Sequence, residues 1–204
     1  MLRIHRAKSQ TARKMLTIIL IRHAEATPPT EGVGAESERD RPLTERGLRD
    51  AEALAEKLAG IQPDRVYSSP YRRAIQTVTP IANRHAMKVE LVEDLRERLL
   101  SPGPVPDFRE QLQRCWRDFD FALPGGESNR IAQTRVMSVF ADLGRRHDEG
   151  LIILGSHGNL VSLGLHALEP KVDYDFWNAM PTPAIYRIEY REGAGRVVSG
   201  PGII

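Results

Sequence analysis

Two imidazoles and two guanidiniums draw attention in this chain because each follows a short apolar run. "TIILIRHAEA" (17–26) passes from an apolar stretch straight into Arg22 and His23. "SSPYRRAIQT" (68–77) offers Ser68, Ser69 and Arg73, and "GSHGNL" (155–160), directly after "LIIL", offers Ser156 and His157. A neutral imidazole nitrogen can attack or carry a proton, and a guanidinium is a planar fork of N–H donors that fits phosphate oxygens. Singly these signals are weak. A histidine at a strand end is more often a satisfied surface or core group, "SSP" before a helix is a routine N-cap, and "GSHG" makes a tight turn. Ligands of open α/β sheets bind beyond the carboxyl ends of the strands. If the three strands are neighbours, the four side chains meet in one crevice, with the N-termini of two following helices aimed at it. Such an arrangement describes a phosphate site.

The elements that must position these groups are legible from periodicity. The apolar runs at 17–21 and 151–154 read as buried parallel strands, and "DRVYSS" and "KVELVEDL" as two more. The stretch from Thr44 to Gly60 places Leu48, Ala51, Leu54, Ala55 and Leu58 on one helical stripe behind a Thr cap. "PYRRAIQTVTPIANRHA" predicts a helix with Pro70 at its first position. "SNRIAQTRVMSVFADLGRRH" predicts a long one with Ile131, Val136, Val139, Phe140 and Leu143 inward, its start marked by Ser128. A further helix fits 159–168, and "AIYRIEY" with "RVVSG" a terminal hairpin. Residues 101–126, bounded by "SPGPVP" and "PGGE", read as an inserted cap in which Trp116, Phe119 and Phe121 pack a helix face or line a substrate pocket. The expectation is an α/β three-layer sandwich: a mostly parallel central sheet, helices on both faces and a small inserted cap, in one domain over residues 15–204. Residues 1–14 read as a disordered basic leader, with Met15 a plausible alternative start.

Composition narrows the partners. A net charge of +2 from 29 basic and 27 acidic residues gives no global field for nucleic acid or a membrane surface, so anion binding must be local. No stretch reaches the roughly 18 apolar residues of a membrane span. The single cysteine, Cys115, excludes an internal disulfide framework, fits a cytoplasmic setting and reads as an incidental helix residue. The six histidines lack metal-ligand spacing, so no metal or cofactor is expected. Oligomeric state is open.

"LIRHAEA", "SSPYRRAIQT", "DLRE", "PGGES" and "GSHGNL", in this order, resemble the histidine phosphatase (phosphoglycerate-mutase-like) superfamily, over almost everything from Met15 to Tyr190. The resemblance implies that His23 is the nucleophile that becomes phosphohistidine, that Arg22 and Arg73 bind the phosphate, and that His157 is the second histidine, protonated and stabilising the transferring oxygens. Of the two adjacent arginines, Arg73 matches the family spacing from the serines and Arg72 does not. Glu97 in "DLRE" matches the general acid, with Glu93 and Asp94 as neighbouring acids. The implied reaction is hydrolysis of a small phosphorylated metabolite.

This chain departs from the pattern at Ala24 and Ala26, where the family usually has Gly and a small hydroxyl residue, and at Pro29, where Asn is common. The first loop therefore has fewer hydrogen bonds to offer a phosphate. "RHAEA" is also similar to the small branch that dephosphorylates protein phosphohistidine, which lacks the cap and the Glu. A phosphoglycerate mutase and a non-catalytic phospholigand binder are the other readings.

Overall fold

The structure, a computed structural model, describes residues 14–28, 35–147, 149–191 and 193–203. The expected basic leader falls outside these residues except for Lys14, and Pro29 also lies outside them. Strand β1 (Leu16–Arg22) is enclosed along almost its whole length, which explains its continuous apolar sequence. It lies between β4 (Gly150–Ser156), parallel to it, and β5 (Ala184–Arg191), antiparallel. With β2 (Arg65–Ser68), β3 (Val89–Leu91) and β6 (Ala194–Ser199), the sheet runs β3-β2-β4-β1-β5-β6. The β3-β2-β4-β1 block is parallel, and the terminal hairpin closes the other edge antiparallel.

Alternate residues of β1 feed two cores. Leu16, Ile18 and Leu20 pack with Val136, Phe140 and Leu143 of α5 (Asn129–Arg146) and with α6 (Gly158–Leu168), whereas Ile19 and Ile21 pack with Leu54 of α2 (Glu45–Lys57) and Val78 and Ile81 of α3 (Arg72–Arg84). Helices therefore cover both faces, giving three layers. Burying each such side chain contributes about 1.5–3 kcal/mol, so the strand that carries Arg22 and His23 is anchored from both sides.

Several sequence expectations need correction. Leu48 and Ile131 are 44% and 60% exposed, because each lies in the first turn of its helix, ahead of the stripe that meets the sheet. Thr44 and Ser128 do cap those helices, accepting from the Gly47 and Ile131 N–H groups. Pro70 precedes α3, which starts at Arg72 behind Tyr71; the Ser69 hydroxyl accepts the Tyr71 N–H and closes the turn first. The strand over "KVELVEDL" stops at Leu91 and a 3-10 turn, Glu93–Leu95, follows with Leu95 fully enclosed. Two short helices had no signal strong enough to read: α1 (Ala35–Asp40) and α7 (Tyr174–Ala179). Residues 101–126 hold α4 (Phe108–Arg117), whose Leu112 and Cys115 are buried, while Trp116 and Phe119 pack against the larger core and meet His166 of α6. Among the described residues no helix is long and apolar enough to cross a membrane.

Candidate active site

Because β1, β4 and β2 are adjacent, their carboxyl ends converge. Arg22 pairs in register with Ser156, the His23 N–H donates to the Ser156 carbonyl at 2.9 Å, and the Ser69 N–H donates to the Gly155 carbonyl at 2.8 Å. The two histidine rings lie edge to face with centroids 5.2 Å apart. Gly158 makes room for this meeting, since a Cβ there would sit 3.2 Å from the Arg22 guanidinium carbon.

His23 is held in one tautomer. Its Nδ1 is 2.6 Å from the Ala24 carbonyl, which can only accept, so Nδ1 carries the proton. Its Nε2 accepts from Arg73 Nε at 3.2 Å, which requires the lone pair there. Desolvation in the crevice, aided by the charge of Arg73, depresses its pKa from 6.5 to about 3. The ring is therefore neutral, with its nucleophilic nitrogen facing a guanidinium. Arg73, 2% exposed, sits at the start of α3, whereas Arg72 faces solvent. One turn on, Thr77 donates to the Arg73 carbonyl and accepts the Ala24 N–H at 3.0 Å, pinning the loop of His23 to α3. Thr77 went unnoticed as a site residue, although its spacing of one helical turn from Arg73 was visible.

Arg22 donates to the Met180 carbonyl at 2.6 Å and its Nε is enclosed without a partner. His157, fully enclosed, shares a 2.8 Å hydrogen bond between Nε2 and the Ser69 hydroxyl, and its Nδ1 has no partner. Burial, then the neighbouring His23 and Arg73, push its pKa well below the ordinary value, which favours the neutral ring. Tyr71 meets His157 edge to face, and the Arg73 guanidinium lies 5.0 Å from its ring centroid.

Glu97 is brought close enough for its charge to act on both Arg22 and Arg73. Its carboxylate is also engaged by α6: Oε1 accepts from the Arg98 and Leu160 N–H groups, and Oε2 accepts from Asn159 N–H at 3.1 Å. The N-terminus of α6, expected to be open toward an anion, is thus taken by a resident carboxylate. The segment bearing Glu97 is fixed from behind by Arg135, which donates to the Asp94 and Arg96 carbonyls and forks onto Glu127 at 2.8 and 2.6 Å. Glu93 instead faces outward, pairing with Arg39, and Asp94 pairs with Arg96. Among the described residues no three His, Cys, Asp or Glu side chains gather as a metal site.

The arrangement combines a neutral, tautomer-locked imidazole, two arginines, a second enclosed histidine and a carboxylate, which suits transfer of a phosphoryl group to nitrogen. Comparison with known proteins identifies the family. The sequence model of the histidine phosphatase superfamily (branch 1) matches residues 18–200. Phosphoserine phosphatase 1 of Hydrogenobacter thermophilus is 28% identical over 70% of this chain and 71% of its own length. A 2,3-bisphosphoglycerate-dependent phosphoglycerate mutase of Thermoplasma acidophilum is 38% identical over 44% of this chain and 42% of its own. In fold, the native structure of a mycobacterial glucosyl-3-phosphoglycerate phosphatase matches with a TM-score of 0.73 at 23% identity, covering 90% of this chain and 97% of that one.

Proposed function

This chain belongs to the histidine phosphatase superfamily, branch 1, and is a phosphatase of that type; from this premise we propose that it hydrolyses phosphomonoesters through a phosphohistidine on His23, without a metal ion. The observation that supports this most is the tautomer of His23. With Nδ1–H held by the Ala24 carbonyl, the Nε2 lone pair is directed at the place where Arg73 donates. A phosphate arriving there replaces that hydrogen bond, and Arg73 and Arg22 clamp its equatorial oxygens. Nε2 then bonds to phosphorus as the bond to the leaving oxygen breaks.

The leaving alkoxide takes a proton from Glu97. Oε2, which accepts one N–H bond against two at Oε1, is the oxygen with room to exchange it. Returning the proton in reverse, Glu97 activates the water that cleaves the phosphohistidine and releases inorganic phosphate. Nδ1 of His157, without a partner among the described residues, donates to a phosphate oxygen, and a bound dianion favours the protonated ring against the burial that disfavours it. The substrate is a small phosphorylated metabolite, and residues 101–126 shape its pocket. Phosphoserine and glucosyl-3-phosphoglycerate, named for relatives, head the panel to be screened. A cytoplasmic location, with Cys115 a buried free thiol, belongs to the same proposal.

Release of p-nitrophenol from p-nitrophenyl phosphate, with chelator and no added metal, is expected from the wild type and to fall at least about a thousandfold in His23→Ala. No His23-dependent release anywhere from pH 4 to 8 sinks the hydrolase reading. Loss on chelation sinks the metal-free one.

A further inference from the structure

The phosphate crevice already contains an anion of the chain's own. Glu38, on α1, brings its carboxylate to 3.4 Å from Arg73 and 3.3 Å from Arg41, and its carbonyl accepts from Arg73 at 2.5 Å. A single carboxylate oxygen, Oε2, thus bridges the arginine that touches the nucleophile and a third guanidinium outside the expected set. Arg41 is mostly enclosed, 18% exposed, and its Nε has no hydrogen-bond partner among the described residues. Burying a guanidinium with an unused donor is costly unless something answers it. Its charge is felt throughout the crevice: it lowers the proton affinity of His23, His157 and Arg73. Arg73 and Arg41 are therefore set to share one anionic group close to the place where phosphate binds.

The departures in the first loop point the same way. The Ala24 N–H is spent on Thr77, and Ala26 has no side chain that reaches an anion. Positive charge from the α1 side stands where loop hydrogen bonds are few. We propose that Arg41 is a specificity-determining residue that receives a second anionic group of the substrate, beside the phosphate, and that the Glu38 carboxylate occupies this place until substrate displaces it. The inference rests on the crevice being a phosphate site. The shared chemistry of the second group is a carboxylate or a second phosphate.

Three non-hydrolysable probes separate the cases by calorimetry in chelator, so that turnover does not enter: ethylphosphonate with one anionic group, phosphonoacetate with an added carboxylate, and methylenediphosphonate with a second phosphonate. With Arg41 present, at least one doubly anionic probe binds tenfold or more tightly than ethylphosphonate. Preference for phosphonoacetate assigns a carboxylate, and preference for methylenediphosphonate a phosphate. Arg41→Gln reduces the preference to less than threefold, and Arg41→Lys, keeping the charge but not the fork, restores part of it. Glu38→Gln tightens the preferred doubly anionic probe severalfold more than it tightens ethylphosphonate, by removing the resident competitor for the second group. Thermal unfolding of each variant verifies that it is folded. A wild type with no preference, a preference that survives Arg41→Gln, or a doubly anionic probe that Glu38→Gln tightens no more than ethylphosphonate overturns the proposal while leaving the hydrolase reading standing. Binding of none of the three probes overturns both.

Discussion

Arg73 and Arg39 stand against the same ring, their guanidinium carbons 5.0 and 5.6 Å from the centroid of Tyr71, yet they belong to different kinds of structure. The Arg73 side chain is 3% exposed and hydrogen-bonded to His23. Arg39 is 42% exposed and forks onto Glu93 at 2.9 and 2.8 Å, in solvent. The first belongs to a cradle built on strand ends, where burial makes an unanswered charge costly. The second belongs to a strap, α1, whose outward pair with Glu93 water and salt weaken, while Glu38 ties the same helix to the enclosed Arg73. The contrast is one of setting: the groups proposed to react sit at the ends of strands packed from both sides, and the Glu38 carboxylate proposed to yield sits, partly exposed, on a short helix of a connection.

The sharpest way to break this comparison is at Arg73 itself. Lysine keeps the charge but loses the fork, so it cannot hold two phosphate oxygens with paired donors; Arg73→Lys is expected to lower kcat/KM for p-nitrophenyl phosphate by about a hundredfold or more. An effect below tenfold would place Arg73 in the strap's class. Glu97→Gln separates proton transfer from helix capping. The amide oxygen can take over one carboxylate oxygen's N–H bonds, the NH2 cannot accept the remainder, and no proton can be passed to the leaving group. Hydrolysis of an alkyl phosphate should fall about tenfold or more beyond that of p-nitrophenyl phosphate, whose leaving group needs no proton. Equal losses on both would make Glu97 a positioning residue only.

Acid should loosen the cradle before the strap. His23 binds its proton near pH 3 in the folded protein and near 6.5 when unfolded, so the unfolded chain takes up the proton first. This stability contribution is complete above about pH 6.5 and is lost as pH falls toward 3, with His157 adding in the same direction. Urea titration should show a loss of about 1–2 kcal/mol from His23 between pH 7 and 5, and His23→Gln should flatten that slope. A wild-type midpoint that is constant over this range would show that the imidazole is not desolvated as described. The smallest effect is expected in the strap: Arg39→Ala removes an exposed pair and should change stability by less than about 1 kcal/mol and kcat/KM by less than about threefold. A larger loss would mean that α1 is fixed rather than yielding.

Much of the cradle could be read from the chain because its signals are local. A buried strand announces itself by uninterrupted apolar residues, and the polar residue that follows must lie at the strand's end; that puts Arg22, His23, Ser69 and His157 at strand ends, and the adjacency of β2, β4 and β1 brings those ends onto one rim. Arg73 could be told from Arg72 by its spacing from the serines, and the structure puts Arg73 rather than Arg72 on His23. The strap was not legible: α1 is six residues of charged and small side chains with no apolar period, and its contact with Arg73 spans 35 positions. The sequence by itself determined the strands, the helices that flank them and the residue types at their ends, since these follow from side-chain periodicity within a few residues. Only the tertiary structure decided what those end groups touch: that Glu97 closes the N-terminus of α6, that Thr77 takes the Ala24 N–H, and that Glu38 lies between Arg73 and Arg41. Each of these is a hydrogen bond or ion pair between segments distant in sequence. The energy of such a contact depends on how the connections pack, which no local pattern records.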